Sequence, residues 1–399
     1  MTHPLLTRAL ACLLLAAPVV AHAGTLRVDV LDIGQGDSIL IRSPGGKTVL
    51  IDAGDGTRDV PPLLAKEGVG SLDLVIGTHP HADHIGGMDE VVAAVPIRNY
   101  LDNGLPHTTA TYRTLMADLE AKGIPYRAAV RGQTFNLDDG ATLEVLFPTA
   151  SPLKNTRSDL NANSVVVRLR HQGHCMLFVG DSEEPTEHAL TGEGLGPCEV
   201  LKVAHHGSNH SSVASFLAAV QPKVALISVG VDNRYRHPGV ETMKRLTDVG
   251  ATLYRTDLQG QLTVLSSEKG VEVRTERVSP LPLTATYAEV AAQNGITDPR
   301  GAHTRHGDPP RTESMSDQAE GEGKRARAAS SHGAEGGTPS ATPPPTPGEA
   351  CPFVSGASDK FHEASCGNAH KIKAEKRACH ATRDAAVAAG KVPAGCCKP

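Results

Sequence analysis

Residues 78–87 read Thr-His-Pro-His-Ala-Asp-His-Ile-Gly-Gly, which places four potential metal ligands, His79, His81, Asp83 and His84, within six positions. They follow the apolar run 72–77 (LDLVIG), which predicts a buried strand, and they precede a Gly-Gly pair that opens a helix. A continuing strand would send neighbouring side chains to opposite faces, whereas a strand-to-helix loop lets them converge on one point. Neutral imidazoles with a carboxylate suit zinc, iron or manganese. A polar loop that merely happens to be rich in histidine fits this tight spacing less well.

The pattern His79-x-His81-x-Asp83-His84 resembles the signature of the metallo-β-lactamase superfamily, whose members fold as a four-layer α/β sandwich of the αββα type. The resemblance implies that His79 and His81 hold one ion, and that Asp83 and His84 hold a second. Such a fold does not by itself fix a substrate.

Further motifs narrow the likeness. Residues 32–38 (DIGQGDS) resemble the glycine-rich segment of the extracellular hydrolase domain of ComEC-type DNA-uptake proteins. Residues 163–169 (NSVVVRL), Gly180-Asp181, residues 201–208 (LKVAHHGS) with Ser211-Ser212, and Asn233-x-Tyr235-x-His237-Pro238 follow in the same order. The likeness spans residues 25–277. It implies that Asp181 bridges two cations and that one of His205 and His206 completes the second site. His205 is preferred as that ligand, with His206 behind it or donating to substrate. His237 is implied to face the site, where with Asp83 it would serve the chemistry, touching the scissile group or donating to the leaving oxygen.

Other residues join the candidate site on the substrate side. Ser211 reads as the N-cap of an apolar helical run over residues 213–220. A helix start carrying Ser208, Ser211 and Ser212 offers hydroxyls and free amides to a phosphate oxygen, although plain capping explains Ser211 equally. Two departures from the family pattern stand out. Where the wider superfamily has a third histidine on the first ion, this chain offers Asn161 and Asn163, and amide oxygens suit manganese better than zinc. Arg236 stands where the family usually has glycine; with Arg234 it adds charge beside the site and could pair a phosphate bidentately, or equally be solvated. Lys202 reads as pointing into a neighbouring layer, and Asp32 and Asp37 also admit the plainer reading of turn caps.

Composition bounds the rest. Residues 1–23 carry a basic residue, an apolar run and Ala-His-Ala before Gly24, which predicts a secretory signal peptide. No later stretch is long and apolar enough for a membrane helix, so the mature chain is expected to be periplasmic or secreted. The net charge of −5 and an aromatic content of 3% without tryptophan argue against a high-affinity nucleic-acid binder. They leave room for an enzyme whose metals meet the phosphate.

Residues 24–298 are expected to form the hydrolase domain. Residues 299–349, rich in Gly, Ser, Thr, Pro and charge, read as a linker. Residues 350–399 form a Cys-rich module with helical character over residues 359–377 and 381–391. This module resembles the small zinc-binding domain of Ada-type repair proteins, but Ala394 stands where a cysteine belongs. A structural zinc and disulfides both remain open, as does binding of a partner or surface. Within the hydrolase domain, Cys175 and Cys198 begin consecutive strands that run to Asp181 and His205, which predicts a disulfide between them.

These features point to a hydrolase with two divalent ions, zinc or manganese, that attacks a phosphodiester, DNA included, through a metal-activated hydroxide. A β-lactamase or other amide or ester hydrolase on the same fold is the alternative. A binding protein that uses its C-terminal module is a third.

Overall fold

The computed structural model of the chain describes residues 24–296 and, near the C-terminus, 353–355, 360–363, 378–380 and 392–393. These fall in two compact units divided after Arg325. The signal peptide, the linker and the metal or disulfide chemistry expected of the C-terminal cysteines lie outside the described residues. No helix among the described residues is long and apolar enough to cross a membrane.

The strands of the first unit are β1 (Leu26–Val30), β2 (Ile39–Arg42), β3 (Thr48–Ile51), β4 (Leu74–Gly77), β5 (Tyr100–Asp102), β6 (Tyr126–Ala128), β7 (Thr134–Asn136) and β8 (Thr142–Phe147). They continue with β9 (Val166–His171), β10 (His174–Phe178), β11 (Val200–Lys202), β12 (Val224–Ile227), β13 (Thr252–Arg255), β14 (Leu262–Ser267) and β15 (Gly270–Thr275). One sheet has the order β15-β14-β1-β2-β3-β4-β5-β6, the other β13-β12-β11-β10-β9-β8-β7. Each is antiparallel at one end and parallel at the other. In the first sheet β3 to β6 are parallel, and in the second β10 to β13.

Strand alternation explains the layering. Val28, Ile41, Val49 and Ile76 of the first sheet meet Val145, Leu169, Met176 and Phe178 of the second in a dry inter-sheet core. Leu40, Leu50 and Val75 face the other way, against helices α1 (Val60–Lys66), α3 (Met88–Ala94) and α4 (Ala110–Ala121), with the one-turn α2 (Ala82–Ile85) between the first two. On the second sheet Leu177, Leu201, Ala225 and Ile227 face α6 (Glu184–Gly192), α7 (Ala214–Val220) and α8 (Val240–Asp248), which follow the short α5 (Asp159–Ala162). The result is the expected αββα sandwich. Beyond α9 (Thr256–Gln259), α10 (Tyr287–Gln293) starts at a capping box made by Thr286 and Glu289.

The expected disulfide is present. Cys175 and Cys198 are bonded with Cα atoms 4.8 Å apart, tying β10 to the segment that enters β11, the strands that lead to Asp181 and to His205-His206. The loop it closes spans 23 positions, and a link of that size contributes about 3 kcal/mol by restricting the unfolded chain.

Two local expectations are corrected. Ser211 is not the cap of α7; Val213 holds that position without a side-chain cap. The amides of Ser212 and Val213 instead donate to the buried carboxylate of Glu187 at 2.6 and 2.8 Å. In the second unit, Lys360–Glu363 is a strand rather than the start of a helix. It pairs antiparallel with Phe353–Ser355 and parallel with Val392–Pro393, and Ala378–His380 completes the sheet. Pairing with residues distant in the chain here overrides local helical character.

Candidate metal centre

Ligands in α/β sheets gather beyond the carboxyl ends of parallel strands, and the candidate residues lie there. Asp52 follows β3, His79 follows β4, and His81, Asp83 and His84 sit on the loop and single turn of α2. Asp181 follows β10, His205 and His206 follow β11, and His237 lies on the loop after β12. Gly36 lets the first hairpin press on this loop. A side chain there would put its Cβ 2.0 Å from the Asp83 carbonyl oxygen, and the neighbouring Asp37 amide donates to that oxygen at 3.2 Å. Asp52, His205 and His206 have left-handed backbones, with φ of 59°, 51° and 52°. Such strain in non-glycine residues persists where surrounding structure holds the side chains in place.

Asp181 is the centre of the cluster and is buried to 1%. Its Oδ1 lies 3.2 Å from His84 Nε2 and 3.5 Å from His206 Nε2. Its Oδ2 lies 3.5 Å from His205 Nε2 and 3.9 Å from His79 Nε2. Asp83 Oδ2 is 3.3 Å from His206 Nε2, and His81 Nδ1 is 2.9 Å from His79 Nε2. Ligand atoms of Asp83, His84, Asp181 and His206 all lie within 4.8 Å of one another. Of the two neighbouring histidines, His206 is the one whose ligand atom falls in this group, whereas the sequence reading prefers His205. The left-handed turn aims consecutive imidazoles at different oxygens of Asp181, and His206 is the one that joins Asp83 and His84.

A further shell holds these rings by their other nitrogens, as metal-binding histidines commonly are held. Asp52 Oδ2 is 2.7 Å from His84 Nδ1, and its carboxylate also accepts from the amide and hydroxyl of Thr78. His206 Nδ1 donates to the Ser228 carbonyl at 3.0 Å and lies 3.3 Å from Asp37 Oδ1. Asp37 is paired with the fully buried ammonium of Lys202 at 2.6 Å. His205 Nδ1, by contrast, is buried without a hydrogen-bond partner, 3.6 Å from Glu183, a carboxylate clamped by Arg157 and the Asn161 amide. Asp52 and Glu183 lie outside the motifs, and Asp37 also admits the plainer reading of a turn cap. An aspartate closing an apolar strand (TVLID) one register from the histidine loop was the signal available for Asp52.

The donor set fits divalent cations. His84 Nε2, His206 Nε2 and Asp181 Oδ1 are buried without a hydrogen-bond partner, although all three are strong polar groups. Leaving such atoms unpaired is costly, and a cation between them would satisfy all three.

Electrostatics divides the imidazoles. Burial pushes His79 well down, and pushes His81 and His205 down to about 4, so these rings are neutral. Burial also opposes charge on His84 and His206, but it is outweighed at His84 by Asp181, Asp52 and Asp83, and at His206 by Asp181 and Asp37. His84 is raised well above its ordinary range and His206 to about 10. In cation-free protein these two therefore carry protons that a metal must displace. The pKa of His206 is higher folded than unfolded, so its contribution to stability is complete below pH 6.5 and fades as pH rises through about 10. Protein held in chelator should lose resistance to urea across that window, and saturating zinc or manganese should flatten the loss. A pH-independent urea midpoint in chelator would contradict it.

Several residues expected on the substrate side serve the scaffold. Asn163 donates to the carbonyls of Leu153 and Asp159 and accepts from the Leu153 amide. Ser208 is buried, accepting from the His210 amide through its hydroxyl, and Ser211 donates its hydroxyl to the Ser182 carbonyl at 2.8 Å. Ser212 is fully buried, and its amide is taken by Glu187. The Asn163 amide, the Ser211 hydroxyl and the Ser212 amide are thus engaged inside the fold, while the buried Ser212 hydroxyl has no hydrogen-bond partner. His237 and Tyr235 do lie at the site. The His237 ring is 5.6 Å from that of His205, and its buried Nε2 has no hydrogen-bond partner. Arg236 has φ of 60°, a conformation that favours glycine and accounts for the residue usual there in the family it resembles.

Four layers closing over paired carboxylates and imidazoles define a metallo-hydrolase, and the chain belongs to the metallo-beta-lactamase superfamily, matched over residues 31–231. Within it, the chain is related to competence proteins. It is 29% identical over 273 residues to ComE operon protein 3 of Bacillus subtilis (strain 168), covering 63% of this chain and 34% of that protein. It is 34% identical over 256 residues to Competence protein ComA of Neisseria gonorrhoeae, covering 63% and 34%. The chain thus spans about a third of the length of these relatives. Among solved structures, the metallo-beta-lactamase fold protein YhfI from Bacillus subtilis aligns with a TM-score of 0.40 and 15% identity, over 60% of this chain and 99% of that one.

Proposed function

We propose that the chain is an exported phosphodiesterase or nuclease, dependent on two divalent cations and acting on DNA or another phosphodiester. The observation that carries this is the division of imidazoles between the two oxygens of Asp181. His79, His81 and His205 would hold one ion with Oδ2, and Asp83, His84 and His206 the other with Oδ1. Zinc or manganese bound there would supply a hydroxide nucleophile at neutral pH and offset charge on the phosphoryl oxygens.

The protein's own groups do the remaining work. Asp52 holds the His84 ring and the Ser228 carbonyl the His206 ring in orientation, so little reorganisation accompanies reaction. His237, whose buried nitrogen has no hydrogen-bond partner, would donate a hydrogen bond to a phosphoryl or leaving-group oxygen. The disulfide between β10 and the segment that enters β11 suits an oxidising compartment, periplasmic or extracellular. Residues 24–298 would be the hydrolase domain, with the C-terminal module tethering it to a partner or surface.

The test is hydrolysis of bis(p-nitrophenyl) phosphate and plasmid DNA with zinc or manganese added, run beside nitrocefin. Diester cleavage that EDTA abolishes is expected, with nitrocefin left intact. Nitrocefin turnover without diester cleavage would overturn the reading.

A further inference from the structure

We infer that Arg234 and Tyr235 form a nucleobase subsite beside the metal centre, which makes nucleotide diesters the preferred substrates; this rests on the phosphodiesterase reading above. A cleft of about 340 Å³ adjoins the cluster, walled by Gln35, Asp83, Asn233, Arg234 and Tyr235. Asp83 belongs to the ligand group, so a diester whose phosphate lies at the metals extends one substituent into this cleft.

The cleft has the surface a base requires. The Tyr235 ring lies parallel to His237, with centroids 5.8 Å apart and planes 17° from parallel. The Arg234 guanidinium lies over the same ring at 5.1 Å and donates to its hydroxyl at 2.9 Å. Arg234 is exposed and Tyr235 half-buried, so the guanidinium and the accessible part of the ring border the cleft, with His237 behind them. In a chain with six tyrosines, six phenylalanines and no tryptophan, the aromatic ring among the residues lining this cleft is Tyr235. Bases stack on aromatic rings and guanidinium planes whatever their sequence.

The platform is also rigid. The buried Asn233 side chain donates to the carbonyls of Gly230 and His237 at 2.8 and 3.0 Å and accepts from the His237 amide at 2.7 Å. Preorganisation of this kind lowers the entropic cost of binding. Charge selects the occupant. Asp55 and Asp232 line the cleft and are not committed to a cation, and these two carboxylates disfavour a second phosphate while tolerating an uncharged base.

The experiment compares two single-stranded substrates with identical backbones: a ten-residue thymidine oligonucleotide, and the same oligomer with every base replaced by an abasic tetrahydrofuran. The quantity read is the ratio of their kcat/KM values under the same zinc or manganese concentration. The thymidine oligomer should be favoured on the order of ten-fold, and Tyr235→Ala should reduce that preference on the order of ten-fold. Tyr235→Phe should retain most of it, because the ring face remains, and Arg234→Ala should reduce it a few-fold. A wild-type ratio near one would overturn the subsite while leaving the phosphodiesterase reading intact. So would a preference that survives Tyr235→Ala. Failure to cleave either oligomer would overturn both, and the wild-type ratio stays informative if a variant does not fold.

Discussion

Replacing Asp181 with asparagine should lower phosphodiester turnover by about 10³-fold or more. The carboxylate is buried, and burial alone would raise its pKa, but His84, His206 and His205 hold it well below the usual range. It therefore presents full negative charge to two sets of imidazoles at once. An amide of the same shape offers a single acceptor oxygen, and its NH2 group cannot ligate a cation. One side of the cluster would lose its shared ligand, and the site would lose a unit of charge that balances the ions. A loss of that size corresponds to about 4 kcal/mol of transition-state stabilisation. Metal analysis after dialysis should show bound ions falling from two towards one. Retention of both ions with turnover within about ten-fold of wild type would contradict the bridging role.

Lys202→Met should have the largest effect on stability, a loss of about 3–5 kcal/mol read from urea unfolding in chelator. The ammonium is fully buried on β11, 2.6 Å from Asp37 Oδ2, and also donates to the Val203 carbonyl at 3.0 Å. Burial would raise the pKa of Asp37, but Lys202 and then His206 hold it below the ordinary carboxylate range. Methionine keeps the volume and leaves the carboxylate without its cation. The double variant Lys202→Met/Asp37→Leu removes both charges and should recover much of the loss, because the cost lies in the unpaired ion more than in the missing attraction. Metal affinity should be about 10–100-fold weaker in the double variant, since His206 there loses the carboxylate beside its Nδ1. Equal destabilisation by the single and double variants would show that the pair is not what the fold depends on.

The two cases illustrate what a motif conveys. His79, His81, Asp83, His84 and Asp181 were legible because local spacing and the strand-to-loop transitions around them fix where they emerge. The hydrophobic alternation that places them also built the layers, so the αββα sandwich and the Cys175–Cys198 bond followed from the same reading. Asn163 and the serines before α7 were less legible because their side chains suit both a phosphate and a backbone. What engages the Asn163 side chain, the Ser211 hydroxyl and the Ser212 amide is the approach of Leu153, Ser182 and Glu187, segments ten or more positions away in the chain.

The sequence by itself determined which residues could carry the chemistry and which strand ends would present them, since both depend on patterns a few residues long. Only the tertiary structure decided how they divide. Backbone φ near 50° at both His205 and His206 sends neighbouring rings to different oxygens of one carboxylate. The ion pair of Asp37 with Lys202 joins residues 165 positions apart. Aromatic scarcity argued against contact with bases, yet the fold sets Tyr235 and Arg234 at the rim of the metal cleft. Such outcomes depend on where long-range packing brings distant segments together, and that information is spread over the whole chain.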